Sequence, residues 1–115
     1  MTEQIALHTR LRAGSEAEYE RIHATIPAAM VAALREAGVR DWRIWRDGKD
    51  LFHLVDVADY ARMQEILRVH PANVEWQALV GQVLEVADDL SGKDERLDLL
   101  WTLCTQIAET ERKPE

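Results

Sequence analysis

The sequence predicts an α+β domain of the ferredoxin-like split βαβ type, an antiparallel sheet with helices on one face. Two observations predict this fold. Short segments with apolar residues at every second position alternate with segments whose apolar residues recur every three or four positions. Their order along the chain is β-α-β-β-α-(α)-β, in which the middle strands carry large apolar residues on both faces. Since the second sheet face also needs cover, we expect a homodimer that packs sheet on sheet as a dimeric α+β barrel.

Length and composition set the frame for this fold. The 115 residues are enough for one domain, with a core of about 4–103 and a C-terminal tail of 104–115. Apolar residues make up 47% and charged residues 30%, as in ordinary folded proteins. The net charge of -7 argues against a nucleic-acid or anionic-membrane partner, because phosphate binding needs clustered positive charge. A single cysteine, no secretory pattern and no long apolar run make a cytoplasmic location the expectation.

The first strand and the first helix follow directly from periodicity. Gln4–Leu11 alternates and predicts a strand. Ser15 and Glu18 form a capping-box pattern that opens a helix, which is predicted to run as far as Gly38. Pro27 lies inside this helix and lacks the N–H that would bond to the carbonyl four residues back, so a bend is expected there. That bend is either a tolerated kink or an opening near His23.

The middle of the chain predicts a hairpin followed by two helices. Strands at 41–46 and 50–57 are separated by Asp47-Gly48, a typical two-residue turn. Asp59 caps the second helix, whose inner face extends to His70. Pro71 interrupts the pattern, and Asn73 can cap a third helix. The inward residues predicted for that helix are Trp76, Leu79, Val80, Val83 and Leu84.

The C-terminal part is polar at first and then ambiguous. Residues 88–96 contain Ser91-Gly92 and predict a loop. Residues 97–103 alternate like a strand, but the same apolar residues also fit a helix. We choose a strand at 97–103, followed by an irregular or helical tail.

Few motifs in the chain indicate chemistry. The sequence has no Gly-rich phosphate loop, and its four histidines lack the one-turn spacing typical of metal ligands on a helix, so no metal site is expected. Tyr19 and His23 are four residues apart and share one helix face, where a phenol and an imidazole can form a proton-transfer pair. The same His23 also fits a hydrogen-bonded core histidine.

Two tryptophans are candidates for ligand binding. An indole stacks on the apolar C–H face of a sugar and can donate its N–H to a hydroxyl, which Trp42 and Trp76 could do. Each also fits a core position. His53 belongs either to the same cavity or to the sheet interface.

Several of these residues together form a recognisable pattern. It consists of Tyr19-x-x-x-His23, Pro27, Leu34, Gly38, the strand 41–45, Leu51-Phe52 and Asn73-x-x-Trp76. In this pattern, which spans about residues 5–86, the chain resembles the L-rhamnose mutarotase family. The resemblance implies a dimeric ferredoxin-like α+β fold and interconversion of the anomers of 6-deoxy sugars, L-rhamnose or in some branches L-fucose. It also implies that neither a metal nor an organic cofactor is needed.

The resemblance further implies roles for particular residues. His23 matches the family's catalytic acid, which protonates the sugar's ring oxygen, and Tyr19 matches a substrate-binding tyrosine. Trp42 stands where rhamnose-type members have a substrate-binding tyrosine. Trp76 matches the first residue of a tryptophan pair whose second position is Gln77 here. A buried sugar needs hydrogen-bond partners, and Gln77, His53 and Arg10 are the candidates.

Two alternatives to a sugar mutarotase remain open at this point. One is a cofactor-independent monooxygenase that acts on an aromatic substrate within the same type of fold. The other is a ligand-binding dimer without catalytic activity. Fold alone does not separate them, because one fold hosts many activities.

Overall fold

The computed structural model describes residues 2–85 and 96–112. The loop predicted for 88–96 lies outside the described residues, apart from Arg96. The elements are β1 (Glu3–Arg10), α1 (Glu16–His23), α2 (Ala28–Glu36), β2 (Val39–Asp47), β3 (Asp50–Val57), α3 (Tyr60–Val69), α4 (Pro71–Val80) and α5 (Leu103–Arg112).

An antiparallel sheet forms the centre of the fold. Within the described ranges it has three strands in the order β1-β3-β2, so that β3 pairs on both sides. Asp47 pairs with Asp50, so the β2–β3 turn is Gly48-Lys49 and lies one residue later than predicted. Gly48 has a φ of +60°, a left-handed conformation that glycine adopts without strain.

The predicted first helix is in fact two helices. α1 ends at His23, and Pro27 is the N-cap residue of α2, with a φ of -54°. A proline disfavours helical conformation in the residue before it, so the chain opens between the two helices instead of bending within one. The single bent helix is therefore wrong, and of the two alternatives left open the structure shows the opening near His23. The capping box is wrong, because Ser15 makes no side-chain cap bond and the Glu18 carboxylate instead accepts from Arg21 at 2.9 Å.

The next two helices are partly as predicted. Asp59 caps α3 by accepting from the backbone N–H of Arg62 at 3.1 Å, which confirms that cap. α4 begins at Pro71, and its cap is His70, whose Nδ1 accepts from the backbone N–H of Ala72 at 3.2 Å. The predicted Asn73 cap is therefore wrong, because Asn73 is the third residue of α4 and is buried. Leu79, predicted to face inward, is 41% exposed.

The predicted fourth strand at 97–103 is also wrong. Arg96 forms an isolated bridge with Leu7, and the Leu97 N–H donates to the Ala6 carbonyl at 2.8 Å, but the pairing with β1 stops there. The Thr102 hydroxyl accepts from the backbone N–H of Thr105 at 3.1 Å. This is an N-cap bond, and it starts α5 at the point where the strand was predicted to end.

Helices and sheet enclose two clusters of buried side chains. One lies between α2, α3 and the sheet and includes Met30, Val55 and Met63. The other lies between α1, the end of α4 and the sheet and includes Tyr19 and Leu51. The core therefore covers one sheet face, and a space remains where the two clusters meet.

Candidate active site

A cavity of about 150 Å³ lies between the helices and the covered face of the sheet. All five site residues predicted from the sequence, Tyr19, His23, Trp42, Trp76 and Gln77, line it. The polar residues in the wall are Thr9, Tyr19, His23, His53, Asn73 and Gln77, and the others are apolar. No Asp, Glu, Lys or Arg is among the described residues that line the cavity, which therefore suits an uncharged ligand.

His23 enters the cavity from the last position of α1. Its Nδ1 lies 3.1 Å from the backbone carbonyl oxygen of Tyr19. A carbonyl oxygen only accepts, so Nδ1 carries the hydrogen and donates it, which leaves Nε2 with its lone pair in the neutral ring. Burial lowers the pKa of His23, and the hydrogen bond to Tyr19 opposes this in part. The resting imidazole is therefore neutral near pH 7, with Nε2 as its reactive nitrogen.

Tyr19 and His23 are in direct contact, but not as the proton-transfer pair that the spacing suggested. Their ring centroids lie 4.0 Å apart with an angle of 31° between the planes. The hydrogen bond from His23 goes to the main-chain oxygen of Tyr19 and not to its phenol. Burial raises the pKa of the Tyr19 phenol, so that the phenol stays protonated. Tyr19 can thus offer a hydrogen bond but does not exchange a proton near neutral pH.

Two residues of α4 line the side of the cavity next to His23. The Trp76 indole meets His23 edge to face, with centroids 5.1 Å apart and an angle of 75°. Gln77 follows it, and its Nε2 donates to Asn73 Oδ1 at 3.4 Å. The buried Asn73 is held in turn by a 2.9 Å bond from its Nδ2 to the Leu67 carbonyl. The wall thus combines an aromatic surface with an amide that is oriented by a second amide.

The sheet side of the cavity carries a chain of three polar side chains. Trp42 Nε1 donates to His53 Nδ1 at 3.1 Å, and His53 Nε2 lies 3.0 Å from Thr9 Oγ1. Burial, followed by the nearby charges of His23 and His8, lowers the pKa of His53 to about 4. The indole N–H of Trp42 was a candidate donor to a sugar hydroxyl, but it is already bonded to His53 Nδ1. His53 belongs to the cavity, but both of its ring nitrogens are bonded within the protein.

Sequence reasoning placed one residue wrongly and missed two. Arg10, a candidate partner for a sugar hydroxyl, is outside the cavity wall, and its Nε lies 3.2 Å from Asp50 Oδ1. Thr9 and Asn73 line the cavity and were not predicted to do so. The alternation of β1 places Thr9 on the same face as the buried Leu7, and that signal could have identified it.

Two searches of the described residues found nothing. No group of three or more His, Cys, Asp or Glu side chains is placed to hold a metal ion within 2–85 and 96–112. None of the helices in the described part of the chain is both long enough and apolar enough to cross a membrane.

Comparison with known sequences gives a consistent result. A family model described as L-rhamnose mutarotase matches residues 4–107. An L-rhamnose mutarotase of Sinorhizobium medicae is 33% identical over 89 residues, which are 76% of this chain and 85% of that protein. An L-rhamnose mutarotase of Paraburkholderia xenovorans is 34% identical over 89 residues, which are 76% of this chain and 82% of that protein.

Comparison with solved structures confirms the predicted fold class. The structure of L-rhamnose mutarotase FA22100 from Formosa agariphila matches with a TM-score of 0.72 and 19% identity. The match covers 88% of this chain and 98% of that one. Tetracenomycin F2 cyclase from Streptomyces glaucescens matches with a TM-score of 0.58 and 20% identity, covering 87% and 95%. At these identities the likeness concerns the fold, the α+β fold of dimeric barrels.

Proposed function

The chain belongs to the L-rhamnose mutarotase family, and from this premise we propose that it interconverts the α and β anomers of a 6-deoxyhexose. As a member of this family it is an isomerase that acts on carbohydrates. L-Rhamnose is the first candidate substrate and L-fucose the second.

One observation supports this function most strongly: His23 is the group in the cavity that suits proton transfer near neutral pH. The Tyr19 phenol has a raised pKa, and both nitrogens of His53 are engaged by Trp42 and Thr9. No carboxylate or amine is present among the described lining residues. Opening a hemiacetal ring needs a proton moved from the anomeric hydroxyl to the ring oxygen, and an imidazole is well suited to that step.

In the proposed mechanism His23 Nε2 carries the proton between two oxygens of the same carbon. Neutral Nε2 takes the proton of the anomeric hydroxyl, and the electron pair left on that oxygen forms the C1=O bond. The bond between C1 and the ring oxygen breaks, and the imidazolium gives the proton to the ring oxygen, as the family's catalytic acid does. After rotation about C1–C2, closure reverses both transfers on the other face of the carbonyl. No proton is gained or lost overall.

The remaining wall residues bind the sugar in this proposal. Trp76 stacks on the apolar face of the ring beside His23, and Trp42 packs against the sugar or its methyl group from the sheet side. The Tyr19 phenol and the Gln77 amide bond to sugar hydroxyls, which would otherwise lose their water partners on burial. Gln77 keeps a carbonyl oxygen for this purpose, because the bond to Asn73 uses its nitrogen.

The size and polarity of the cavity also fit this function. At about 150 Å³ it is smaller than the ~300 Å³ at which pockets for drug-sized ligands begin. It therefore suits one monosaccharide and excludes large polycyclic substrates. The mixture of indole faces and neutral hydrogen-bonding groups is likewise appropriate to a monosaccharide.

We propose that the functional form is a homodimer. The sheet face opposite the cavity carries Trp45, 52% exposed, and Phe52, 40% exposed, as register partners. On the same face, Asp56 Oδ1 is buried without a hydrogen-bond partner in the described part of the protein. A second copy packed on this face would cover the two rings and could supply the missing donor.

The segment from Leu97 to α5 supports the same assembly. Leu99, Leu100 and Trp101 are 81%, 97% and 62% exposed, a run of apolar side chains that monomeric proteins seldom present to water. The radius of gyration is 16.5 Å, above the ~13 Å expected for a compact chain of this length. We call residues 97–112 the C-terminal arm and propose that it packs on the partner subunit.

A cytoplasmic location is part of the proposal. It is supported by Cys104, an exposed free thiol in the described part of the chain, because such a thiol suits a reducing compartment.

Magnetisation-exchange NMR between the α and β anomers, with and without protein, tests the proposed function. Wild-type protein should accelerate exchange of L-rhamnose, L-fucose or both above the uncatalysed rate at the same pH. The ratio of the two accelerations identifies the preferred sugar. Binding of both sugars without any acceleration would indicate the ligand-binding alternative instead.

A further inference from the structure

Three side chains on one face of the sheet lie in a diagonal line across all three described strands. Trp42 belongs to β2, His53 to the central strand β3 and Thr9 to β1. In the register, His53 pairs with Leu7 on β1 and with Ile44 on β2. Thr9 and Trp42 each lie two residues from one of these partners on the same sheet face, so they are the diagonal neighbours of His53. All three line the cavity, and the proposed reaction gives none of them a role in handling the ring oxygen.

The donors in this line fix the direction of each hydrogen bond. An indole nitrogen only donates, so His53 Nδ1, 3.1 Å from Trp42 Nε1, must accept and carries no hydrogen. The neutral imidazole then carries its hydrogen on Nε2. The partner of Nε2 at 3.0 Å is Thr9 Oγ1, which therefore accepts. The tautomer of His53 is thus determined by its neighbours.

This arrangement has a consequence for the Thr9 hydroxyl. A hydroxyl has one hydrogen and two lone pairs, and one lone pair of Thr9 is occupied by His53. The hydroxyl hydrogen cannot turn toward His53 Nε2, which itself donates. It is therefore directed away from His53, and the side chain lies in the wall of the cavity. A ligand there can therefore accept a hydrogen bond from Thr9, whose second lone pair also remains free.

We propose that the Thr9 hydroxyl donates a hydrogen bond to the ring oxygen of the sugar, and that His53 and Trp42 orient this hydroxyl. A ring oxygen can only accept, so it matches a hydroxyl whose hydrogen is kept away from His53. When the bond between C1 and the ring oxygen breaks, negative charge develops on that oxygen, and a hydrogen bond to a charged acceptor is stronger than one to a neutral acceptor. Thr9 thus stabilises ring opening, while the proton itself is delivered by His23.

Thr9 does not transfer its own proton in this scheme. To do so it would need a proton back from His53 Nε2, and His53 would then have to gain one at Nδ1. That nitrogen is occupied by the Trp42 N–H. His53 and Trp42 are accordingly positioning residues, which act through the direction of the Thr9 hydroxyl. The inference rests on the proposed mutarotase function.

The test compares Thr9→Val with Thr9→Ser in anomer exchange of the sugar that the wild-type protein accelerates. Valine keeps the shape and removes the hydroxyl, and we expect an exchange rate at saturation about 10-fold lower, because loss of such a bond costs ~1.5 kcal/mol. Serine keeps the hydroxyl and should retain most of the rate. Thr2→Val, at an exposed position before β1, is the matched control and should behave as wild type.

A double variant separates positioning from packing. His53→Leu alone should lower the rate less than Thr9→Val, because the hydroxyl remains but is free to turn. Added to Thr9→Val, it should cause little further loss, since its effect passes through Thr9. Equal rates for wild type and Thr9→Val would overturn the inference and leave the mutarotase proposal intact. No exchange in the wild-type protein would instead overturn the mutarotase proposal, and the inference with it.

A second measurement needs no variant. Long-range ¹⁵N–¹H correlation spectra of the wild-type protein report the His53 tautomer directly. A hydrogen on Nε2 and a lone pair on Nδ1 support the inference. A hydrogen on Nδ1, or a doubly protonated ring at neutral pH, would contradict it even if Thr9→Val failed to fold.

Discussion

His23 and Trp76 meet edge to face at the junction of α1 and α4, with ring centroids 5.1 Å apart and an angle of 75°. The contact places a flat aromatic surface directly beside the imidazole that has Nε2 available. A sugar stacked on Trp76 thus lies next to the group proposed to move its proton. Binding and proton transfer therefore belong to adjacent residues, and changes to each should have different kinetic effects.

Replacement of Trp76 by alanine should weaken sugar binding more than it slows the chemical step. The indole is proposed to provide a stacking surface and no proton, so KM for anomer exchange should rise while kcat changes less. The indole packs against both buried clusters, and its loss should also lower the free energy of unfolding by ~3 kcal/mol or more. Exchange rates over a range of sugar concentrations, measured alongside denaturant unfolding, provide both values. A folded variant with unchanged KM would place the sugar elsewhere.

The exchange rate should depend on pH through His23. The proposed cycle starts from the neutral imidazole, and burial lowers its pKa below the usual 6.5. The rate should therefore be constant from pH 7 down to about 6.5 and fall as the pH decreases through the lowered pKa. The measurement is the catalysed exchange rate from pH 4.5 to 8, corrected for uncatalysed exchange. A rate that rises toward acid pH over this range would contradict a neutral starting form.

Stability should decrease with acid because of His53. Its pKa is about 4 in the folded protein, against 6.5 in the unfolded chain, so the unfolded chain binds more protons between these values. The part of the free energy of unfolding that depends on neutral His53 is thus fully present above pH 6.5. It decreases as the pH falls toward 4, by up to about 3 kcal/mol. Unfolding of wild type and His53→Leu at several pH values tests this, since the variant should lack that part of the slope. Parallel pH curves would show that His53 is not the source.

The proposed dimer should depend on the C-terminal arm and on the exposed sheet face. Leu100→Asp and Trp45→Glu place charges where the partner would pack, and each should shift the protein toward a monomer in sedimentation at micromolar concentration. Val69→Asp is the matched control, because Val69 is 76% exposed at the end of α3 and belongs neither to the exposed sheet face nor to the C-terminal arm. A single 13.2 kDa species in the wild-type protein would contradict the dimer.

Local rules predicted most of the fold correctly and failed where two of them competed. Some patterns are compatible with only one local structure. They are the alternation of the strands, the Asp59 cap and the glycine at the β2–β3 turn. The segment 97–103 is compatible with two structures, because its apolar spacing fits a strand and a helix equally well. The N-cap bond of Thr102 favours the helix. Pro27 likewise could bend or break a helix, and spacing alone does not determine which.

The residues of the candidate site were predictable where they lie on one helix or match the pattern of a known family. Tyr19 and His23 are linked by helical spacing, but the bond from His23 to a main-chain oxygen depends on where α1 ends. The line from Trp42 to Thr9 depends on the register of three strands, which places residues 33 positions apart in the chain at one cavity wall. The alternation of β1 places Thr9 on the inner face of the sheet, but no pattern in the sequence shows that it meets His53 there.

The most direct test of the central claim, that His23 moves the proton, is the anomer exchange rate of His23→Gln. Glutamine keeps similar bulk and hydrogen bonding but does not titrate, and general acid–base catalysis is typically worth ~10²–10⁴ in rate. His70→Gln, which removes an imidazole outside the cavity wall, is the control. We predict a loss of at least about 100-fold for His23→Gln, with fold and dimer preserved, and a near-normal rate for folded His70→Gln. Near-normal exchange in folded His23→Gln, with loss of stability as its main effect, would contradict the catalytic role and make His23 a core residue.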